Sequence, residues 1–281
     1  MKTFFYPLTF IAVFAIDNGA NAQTLKNFTK KIEQKANQIV DKVDKVVEEI
    51  NTPSSSNATP TNRSSGSNSP FKNLSPNSFD YVRGATPVFM DDFSGEQLGQ
   101  MASHWTSNGS GSVATIPGFT GKWLELNDKN TYKIKDLFKI PTDFTVEFDL
   151  LVSAETQSPI RVDFGFDYIK GVDKHYYLAE QNPVNIRASY RFNRFEFTSK
   201  EYSESKKQSE VQANMSYFVN DVMKVKIKVV QDRMNVYINE YKVLDTEMIN
   251  PATRKYFYFA IDNDDTKNTK AYISNFRIDK I

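Results

Sequence analysis

The sequence predicts an all-β domain of two packed antiparallel sheets over residues 79–281. Three observations predict it. Short runs alternate apolar and polar residues, with turn residues between them. No stretch of this region sustains an apolar stripe of helical period. Aromatic residues make up 14% of the chain, with 22 Phe and 14 Tyr, and these side chains favour a pleated, half-buried surface. Strands with one polar face suit antiparallel sheets solvated on one side, not a parallel sheet between helices.

The elements follow in chain order. Lys2 precedes an apolar run from Phe4 to Ile16, ended by Asp17, and Ala20-Asn21-Ala22 then precedes Gln23. A charged start, a short apolar core and an Ala-x-Ala pattern are the parts of a cleaved secretory signal, expected at residues 1–22. A span would need ~20 apolar residues, more than this run holds, and no other segment is long and apolar enough. Residues 23–51 read as an amphipathic helix. Leu25, Phe28, Ile32, Ala36, Ile39, Val43, Val46 and Ile50 recur in steps of three and four, which lines them on one face. From Ile32 the steps are heptad-like, so self-association through residues 24–51 is an expected mode of interaction. Residues 52–78 carry Pro53, Pro60, Pro70 and Pro76 among Ser, Asn and Thr, the composition of a disordered linker with too few apolar groups to bury.

Within residues 79–281, Phe144 to Val152 alternates most cleanly: Phe144, Val146, Phe148 and Leu150 face one way, Thr145, Glu147 and Asp149 the other. Ile160 to Tyr168 sets Ile160, Val162, Phe164 and Phe166 against Arg161, Asp163 and Asp167. Ile186 to Phe192 alternates with Arg187, Ser189 and Arg191, and Val222 to Val230 sets Val225, Ile227 and Val229 against Lys224, Lys226 and Lys228. Arg233–Asn239 and Tyr241–Thr246 read as a hairpin across Asn239-Glu240. Tyr256–Ile261 and Ala271–Ile278 complete the set.

Composition excludes several classes. With 35 basic and 34 acidic residues the formal charge is +1, not the signature of a nucleic-acid binder. No cysteine is present, which removes disulfides, thiolate metal sites and cysteine nucleophiles. The two histidines, His104 and His175, belong to no recognisable acid–base constellation, and no phosphate-loop or nucleophile-elbow motif occurs.

Val88-Phe-Met-Asp-Asp-Phe-Ser-Gly95 with Gly99 and Trp105, Gly118-Phe-Thr-Gly-Lys-Trp-Leu-Glu-Leu126, Phe144–Leu150 and Ala271–Ile278 together resemble the concanavalin A-like lectin/glucanase jelly roll in its laminin-G-like bacterial form. The order of signal, Lys/Glu/Val helix, linker and a β-domain opening on Phe79-Asp-Tyr-Val-Arg-Gly84 is similar to the N-terminal region of secreted OmpA-family envelope proteins. The OmpA-type domain that follows in many of those is not expected here, because the sequence stops at Ile281 just after the last strand. The resemblance implies a jelly-roll sandwich, a secreted or periplasmic location at the cell envelope, and a glycan or envelope protein as partner. Because this fold hosts lectins, glycosidases, lyases and spacers, it leaves three functions: a non-catalytic binder of a carbohydrate or another envelope component, which the chain fits best; a glycan hydrolase or lyase; and a structural spacer or assembly protein acting through its N-terminal helix.

Candidate residues follow from the polar faces. Glu147 and Asp149 begin like the Glu-x-Asp-x-x-Glu run of glucanases of this fold, but the third carboxylate is missing, which argues against a cleaving pair. Arg161, Asp163, Asp167, Arg187 and Arg191, with Lys224, Lys226 and Lys228 and with Tyr190 or Tyr237 exposed between them, are candidates for hydrogen bonding and stacking on a sugar. Asp92 beside Asp91, with Asp262 and Asp264, offers hard oxygen ligands in loops that suit calcium. Trp105 and Trp123 read as core residues of the sandwich.

Overall fold

The computed structural model describes residues 69–136, 139–155, 159–172, 184–201, 207–264 and 268–281. All lie in the second of two units into which the chain divides, Gly66–Ile281. The expected signal, the helix, the linker as far as residue 68, and His175 lie outside the described residues.

Fifteen strands are described. The first eight are β1 (Thr86–Asp91), β2 (Trp105–Ser107), β3 (Gly111–Ala114), β4 (Trp123–Leu126), β5 (Thr131–Ile134), β6 (Phe144–Ala154), β7 (Arg161–Asp167) and β8 (Val184–Ser189). The others are β9 (Arg194–Ser199), β10 (Lys207–Gln212), β11 (Val222–Val230), β12 (Arg233–Ile238), β13 (Tyr241–Glu247), β14 (Tyr256–Asp262) and β15 (Thr269–Lys280). They form two antiparallel sheets of eight and seven strands. The first runs β13-β12-β11-β6-β15-β4-β3 with β1 also on β15, and the second runs β10-β9-β8-β7-β14-β5-β2. This is a jelly-roll sandwich, as expected.

The alternation read from β6 holds. Phe144, Val146, Phe148 and Leu150 are buried against the second sheet. The Phe148 ring lies edge-on to Phe164 of β7 at 5.2 Å and to Phe259 of β14 at 4.9 Å, and Phe144 meets Phe166 at 5.3 Å. Edge-to-face rings at these separations are the favoured aromatic arrangement. Trp105 fills the end of this layer against Phe276 at 5.1 Å, and its indole N–H donates to Asp91 Oδ2 at 3.0 Å. The expected hairpin turns at Asn239, whose φ of 54° is one that Asn tolerates.

Several readings are corrected. β8 stops at Ser189, and the chain turns through 190–193 with Asn193 at φ 53°. Phe192 is therefore exposed, between the guanidinium groups of Arg191 and Arg194. Tyr190 and Tyr237, expected at the surface, are each 1% exposed. Trp123 is buried outside the main core: with Leu151 and Tyr272 it makes a small apolar cluster on the outer face of the first sheet, beside Ile116 and Phe119. In β15 the register shifts between Ser274 and Arg277 at a bulge, with Asn275 at φ 51°. The extra residue lets Ala271, Ile273, Phe276 and Ile278 all face the core.

The packed region also begins before residue 79. Phe71, within the expected linker, is 1% exposed and packs on Tyr241 at 5.1 Å, Phe195 at 6.1 Å and Phe218 at 6.2 Å. The Pro70 carbonyl accepts from Asn214 N at 2.7 Å. One aromatic in a Ser/Pro-rich stretch has no periodicity to betray it, yet it fills the gap between β9 and β13.

Phe71→Ala should therefore destabilise the domain by ~3–5 kcal/mol, measured by urea unfolding of the purified chain. A change below ~0.5 kcal/mol, the usual size for a surface site, would return Phe71 to the linker.

Candidate functional site

On β6 the alternation that sends phenylalanines inward sends Thr145, Glu147 and Asp149 to the outer face of the first sheet. On neighbouring β11 it sends Lys224, Lys226 and Lys228 there. Register pairs Lys224 with Asp149, Lys226 with Glu147 and Lys228 with Thr145, and on the other side β15 sets Arg277 beside Glu147. Two covers leave only part of this face open. At one end lies the cluster around Trp123. At the other lies a strap formed by residues 79–84.

The strap contacts the sheet residue by residue. Lys226 Nζ sits 4.7 Å from the Phe79 ring and 5.2 Å from the Tyr81 ring, a cation–π contact with each of two adjacent rings. Asp80 accepts from Tyr237 Oη at 2.7 Å and from Lys242 Nζ at 2.6 Å. Tyr81 Oη donates to Glu147 Oε1 at 2.8 Å, and Arg83 places its fork on both Glu147 oxygens, Nε to Oε1 at 2.8 Å. Gly84 N donates to Thr145 Oγ1 at 3.1 Å. A Cβ at Gly84 would lie 2.6 Å from the Lys280 carbonyl oxygen, so only glycine allows this approach. The strap thus buries Thr145, which its place on the polar face would otherwise leave in water.

These contacts decide the charge state of Glu147. Burial by itself would raise its carboxyl, but the hydrogen bonds from Arg83 and Tyr81, helped by both positive neighbours, outweigh burial and hold it below the usual carboxylate range. Burial pushes the Tyr81 phenol up, so it remains a donor.

Beside the strap is a cleft of about 690 Å³. Arg83, Glu147, Asp149, Lys224, Lys226, Asn275 and Arg277 line one side, and Met90, Asp91, Asp92, Glu96 and His104 line the other. The β15 bulge turns Asn275 out so that its Nδ2 donates to Asp149 Oδ2 at 2.7 Å. This leaves Asp149 Oδ1, the Asn275 carbonyl and one Asn275 N–H for a guest. Lys224 is exposed and makes no ion pair among the described residues. On the acidic side, Asp91 Oδ1 accepts from Phe93 N at 2.9 Å, and Glu96 Oε1 accepts from Ser103 N at 2.9 Å and Ser103 Oγ at 2.7 Å. Burial raises the Asp91 carboxyl, against the hydrogen bonds from Phe93 and Trp105.

The structure places the other sequence candidates elsewhere. Arg161, Asp163, Asp167 and Arg187 lie on the outer face of the second sheet, where they bind one another and their neighbours. Arg187 Nε donates to Asp163 Oδ1 at 2.9 Å, and Asn185 Nδ2 donates to the same oxygen at 3.1 Å. Tyr258 Oη donates to Asn185 Oδ1, crossing Gly165, the residue between them in the register. Asp167 accepts from Lys133 Nζ at 2.6 Å, and that ammonium also donates to the carbonyls of Ile169 and Gly171. Arg161 pairs with Asp262, and Arg191, in the turn after β8, lies 3.9 Å from Asp264. Two of the expected sugar-binding cations, Arg161 and Arg191, thus face two of the expected calcium ligands, Asp262 and Asp264. Asp92 instead accepts from Ser94 N at 2.9 Å in the cleft. Of the expected residues the cleft gathers Glu147, Asp149, Lys224, Lys226 and Asp92. It adds Arg83, Glu96, His104 and Asn275, none of which was a candidate site residue from the sequence.

No protein-family model matches the chain, and no curated protein matches it. Solved structures similar to it include arcelin-5, a lectin-like defense protein from Phaseolus vulgaris, at 12% identity, covering 69% of this chain and 98% of that one with a TM-score of 0.49. The carbohydrate-binding module CBM66 from Bacillus subtilis is similar at 14% identity, covering 64% and 99% with a TM-score of 0.43. The binding domain of botulinum neurotoxin DC in complex with SialylT is similar at 15% identity, covering 70% and 48% with a TM-score of 0.45. The chain thus spans about half the length of the toxin chain. Likeness at this level concerns architecture alone, and the cleft has to be read from its own residues.

The Glu147 carboxyl is held down when folded, so near its titration the unfolded chain binds more protons and stability rises with pH. The contribution is present above the ordinary glutamate range, about 4.3, and is lost as pH falls through the lower folded value. Arg83→Ala should cost about 1 kcal/mol or less at pH 6, since Arg83 is half exposed, and this cost should shrink towards pH 3. Urea midpoints of both proteins across that range provide the check. A cost that does not change with pH would mean that Arg83 acts through packing alone.

Proposed function

We propose that the protein is a secreted, envelope-associated β-sandwich that binds a carbohydrate in the cleft of the first sheet without cleaving it. The observation that carries the reading is the Asp149–Asn275 pair. A carboxylate and an amide hydrogen-bonded to each other present acceptors and a donor side by side, groups suited to the hydroxyls of a sugar, and Lys224 stands opposite Asp149 in the register. Charge-assisted hydrogen bonds of this kind are stronger than neutral ones, and a few convergent polar groups in a cleft favour a ligand able to satisfy them.

The state of Glu147 supports binding over cleavage. A glycosidase acid needs a carboxyl whose pKa is raised, facing a second carboxylate at a set distance. Glu147 is shifted the other way, with both oxygens engaged by Tyr81 and Arg83. The leader pattern of residues 1–22 supports export, and the heptad-like residues 24–51 support contact with a second copy or an envelope protein. Among the described residues no helix is long and apolar enough to cross a membrane.

A glycan array followed by calorimetric titration tests the reading. The purified chain should bind at least one glycan class, and Asp149→Ala and Asn275→Ala should each weaken that binding by about tenfold or more, the equivalent of 1.4 kcal/mol. Far-UV circular dichroism should show both variants folded. Wild-type turnover of β-glucan, agar, carrageenan, alginate or peptidoglycan that disappears in Glu147→Gln would overturn the non-catalytic reading. Binding indifferent to both Asp149 and Asn275 would overturn the site.

A further inference from the structure

We propose that Asp91, Glu96 and His104 form a binding site for a divalent transition cation, zinc above all, at the acidic side of the cleft. The three residues come from the end of β1, the turn after it and the position just before β2. One potential ligand atom from each converges, all within 4.8 Å of one another. Zinc takes carboxylate oxygens and imidazole nitrogens at ~2.0–2.2 Å, which puts neighbouring ligand atoms about 3.4 Å apart in a tetrahedral site. The closure needed is within reach of the His104 side chain, which is 61% exposed and so has room to turn.

Both carboxylates are already oriented from behind. Asp91 is held by Phe93 N and by the Trp105 indole, and Glu96 by two donors of Ser103. Hydrogen bonds from outside a coordination sphere of this sort fix ligand direction before the ion arrives. Lys122 Nζ donates to the carbonyls of Ser94 at 2.9 Å and Glu96 at 2.6 Å, which ties down the turn that carries Glu96. The Asp91 side chain is only 7% exposed, and the one basic side chain within ion-pair distance of it among the described residues is His104, with Nδ1 at 3.5 Å from Oδ2. A buried carboxylate needs a compensating charge, and a dication between Asp91 and Glu96 would supply it.

The donor set selects the ion. Two carboxylates and an imidazole suit zinc or manganese, whereas calcium prefers a larger set made of oxygen alone. Three protein ligands also leave a tetrahedral ion one position facing the cleft. The site spans both sheets, because β1 pairs with β15 of the first and β2 with β5 of the second. A bound cation would therefore stabilise the sandwich against opening at this edge. None of this depends on glycan binding.

The test is calorimetric titration of the untagged full chain, stripped of metal, with zinc, manganese and calcium chlorides, alongside thermal unfolding. The expected result is one zinc per chain, bound more tightly than manganese, with calcium weakest and with Tm raised by zinc. His104→Ala and Glu96→Gln should each weaken zinc binding by about tenfold or more while remaining folded by circular dichroism. Asp262→Asn and His175→Ala should leave it unchanged. The proposal is overturned by absence of saturable zinc binding, by binding that survives the His104 and Glu96 changes, by binding that disappears with His175, or by calcium binding more tightly than zinc.

Discussion

Strand β6 sets the constraint on which the rest of this structure depends. It is hydrogen-bonded on both sides, to β11 and to β15, so its two faces must both be used. The period of two makes that use unambiguous. Phe144, Val146, Phe148 and Leu150 form the inner layer that joins the sheets, and Thr145, Glu147 and Asp149 lie one residue out of phase on the other side. A slip of one residue would exchange phenylalanines for carboxylates in the core. The same choice that fixes the sandwich therefore fixes where the strap lands and where the cleft opens.

The two outer faces resolve their charges differently. On the second sheet the charged groups are closed upon themselves: Asp163 with Arg187 and Asn185, Asp167 with the buried Lys133, Arg161 with Asp262. Opening such a set to a ligand would break paired, partly buried ions, and removing one partner of a buried pair is costly. On the first sheet the strap satisfies Glu147 and Lys226 and then ends, and beyond it Asp149, Asn275 and Lys224 stay accessible. Asp149 and Asn275 orient each other through their hydrogen bond, so the proposed ligand would meet two groups that need little reorganisation.

Legibility from sequence followed the strength of the periodic signal. β6, β7 and β11 alternate over six or more residues, and their strand positions and buried faces were readable, whereas β14 and the β12–β13 hairpin were readable as strands but not in their facing. β2, β3, β4 and β5 are three or four residues long, too short for a period to be distinguished from chance, and only the Gly-x-x-Gly-Lys-Trp run marked the region of β4. Of the site, Glu147 and Asp149 on β6 and Lys224 and Lys226 on β11 could each be placed on the polar face of their own strand from alternation, and the pairing of the two strands then brings them together. Asn275 could not, because its direction depends on a bulge that no local pattern in Ala271–Ile278 announces. Arg83, Glu96 and His104 could not either, since they reach the cleft through turns and a strap whose course is set by tertiary contact. Of the residues read as polar-face candidates, Arg191 lies in the turn after β8 and Lys224, Lys226 and Lys228 lie on the first sheet, while Arg161, Asp163, Asp167 and Arg187 share the outer face of the second sheet. That their charges are taken up by Lys133, Asn185 and Asp262 is information carried by neighbouring strands, not by the strands themselves.

The strap shows how a short motif acquires its spelling from such long-range contacts. Phe79 and Tyr81 both contact the Lys226 ammonium, and Val82, which points away, is 68% exposed. Asp80 and Arg83 carry opposite charges because the groups beneath them, Lys242 and Glu147, carry the complementary ones. Gly84 is fixed by the Lys280 carbonyl. Exchanging Asp80 and Arg83 would conserve composition and net charge yet set like charges against each other at both ends, so the order of residues in the strap, and not its content, holds one edge of the cleft in place.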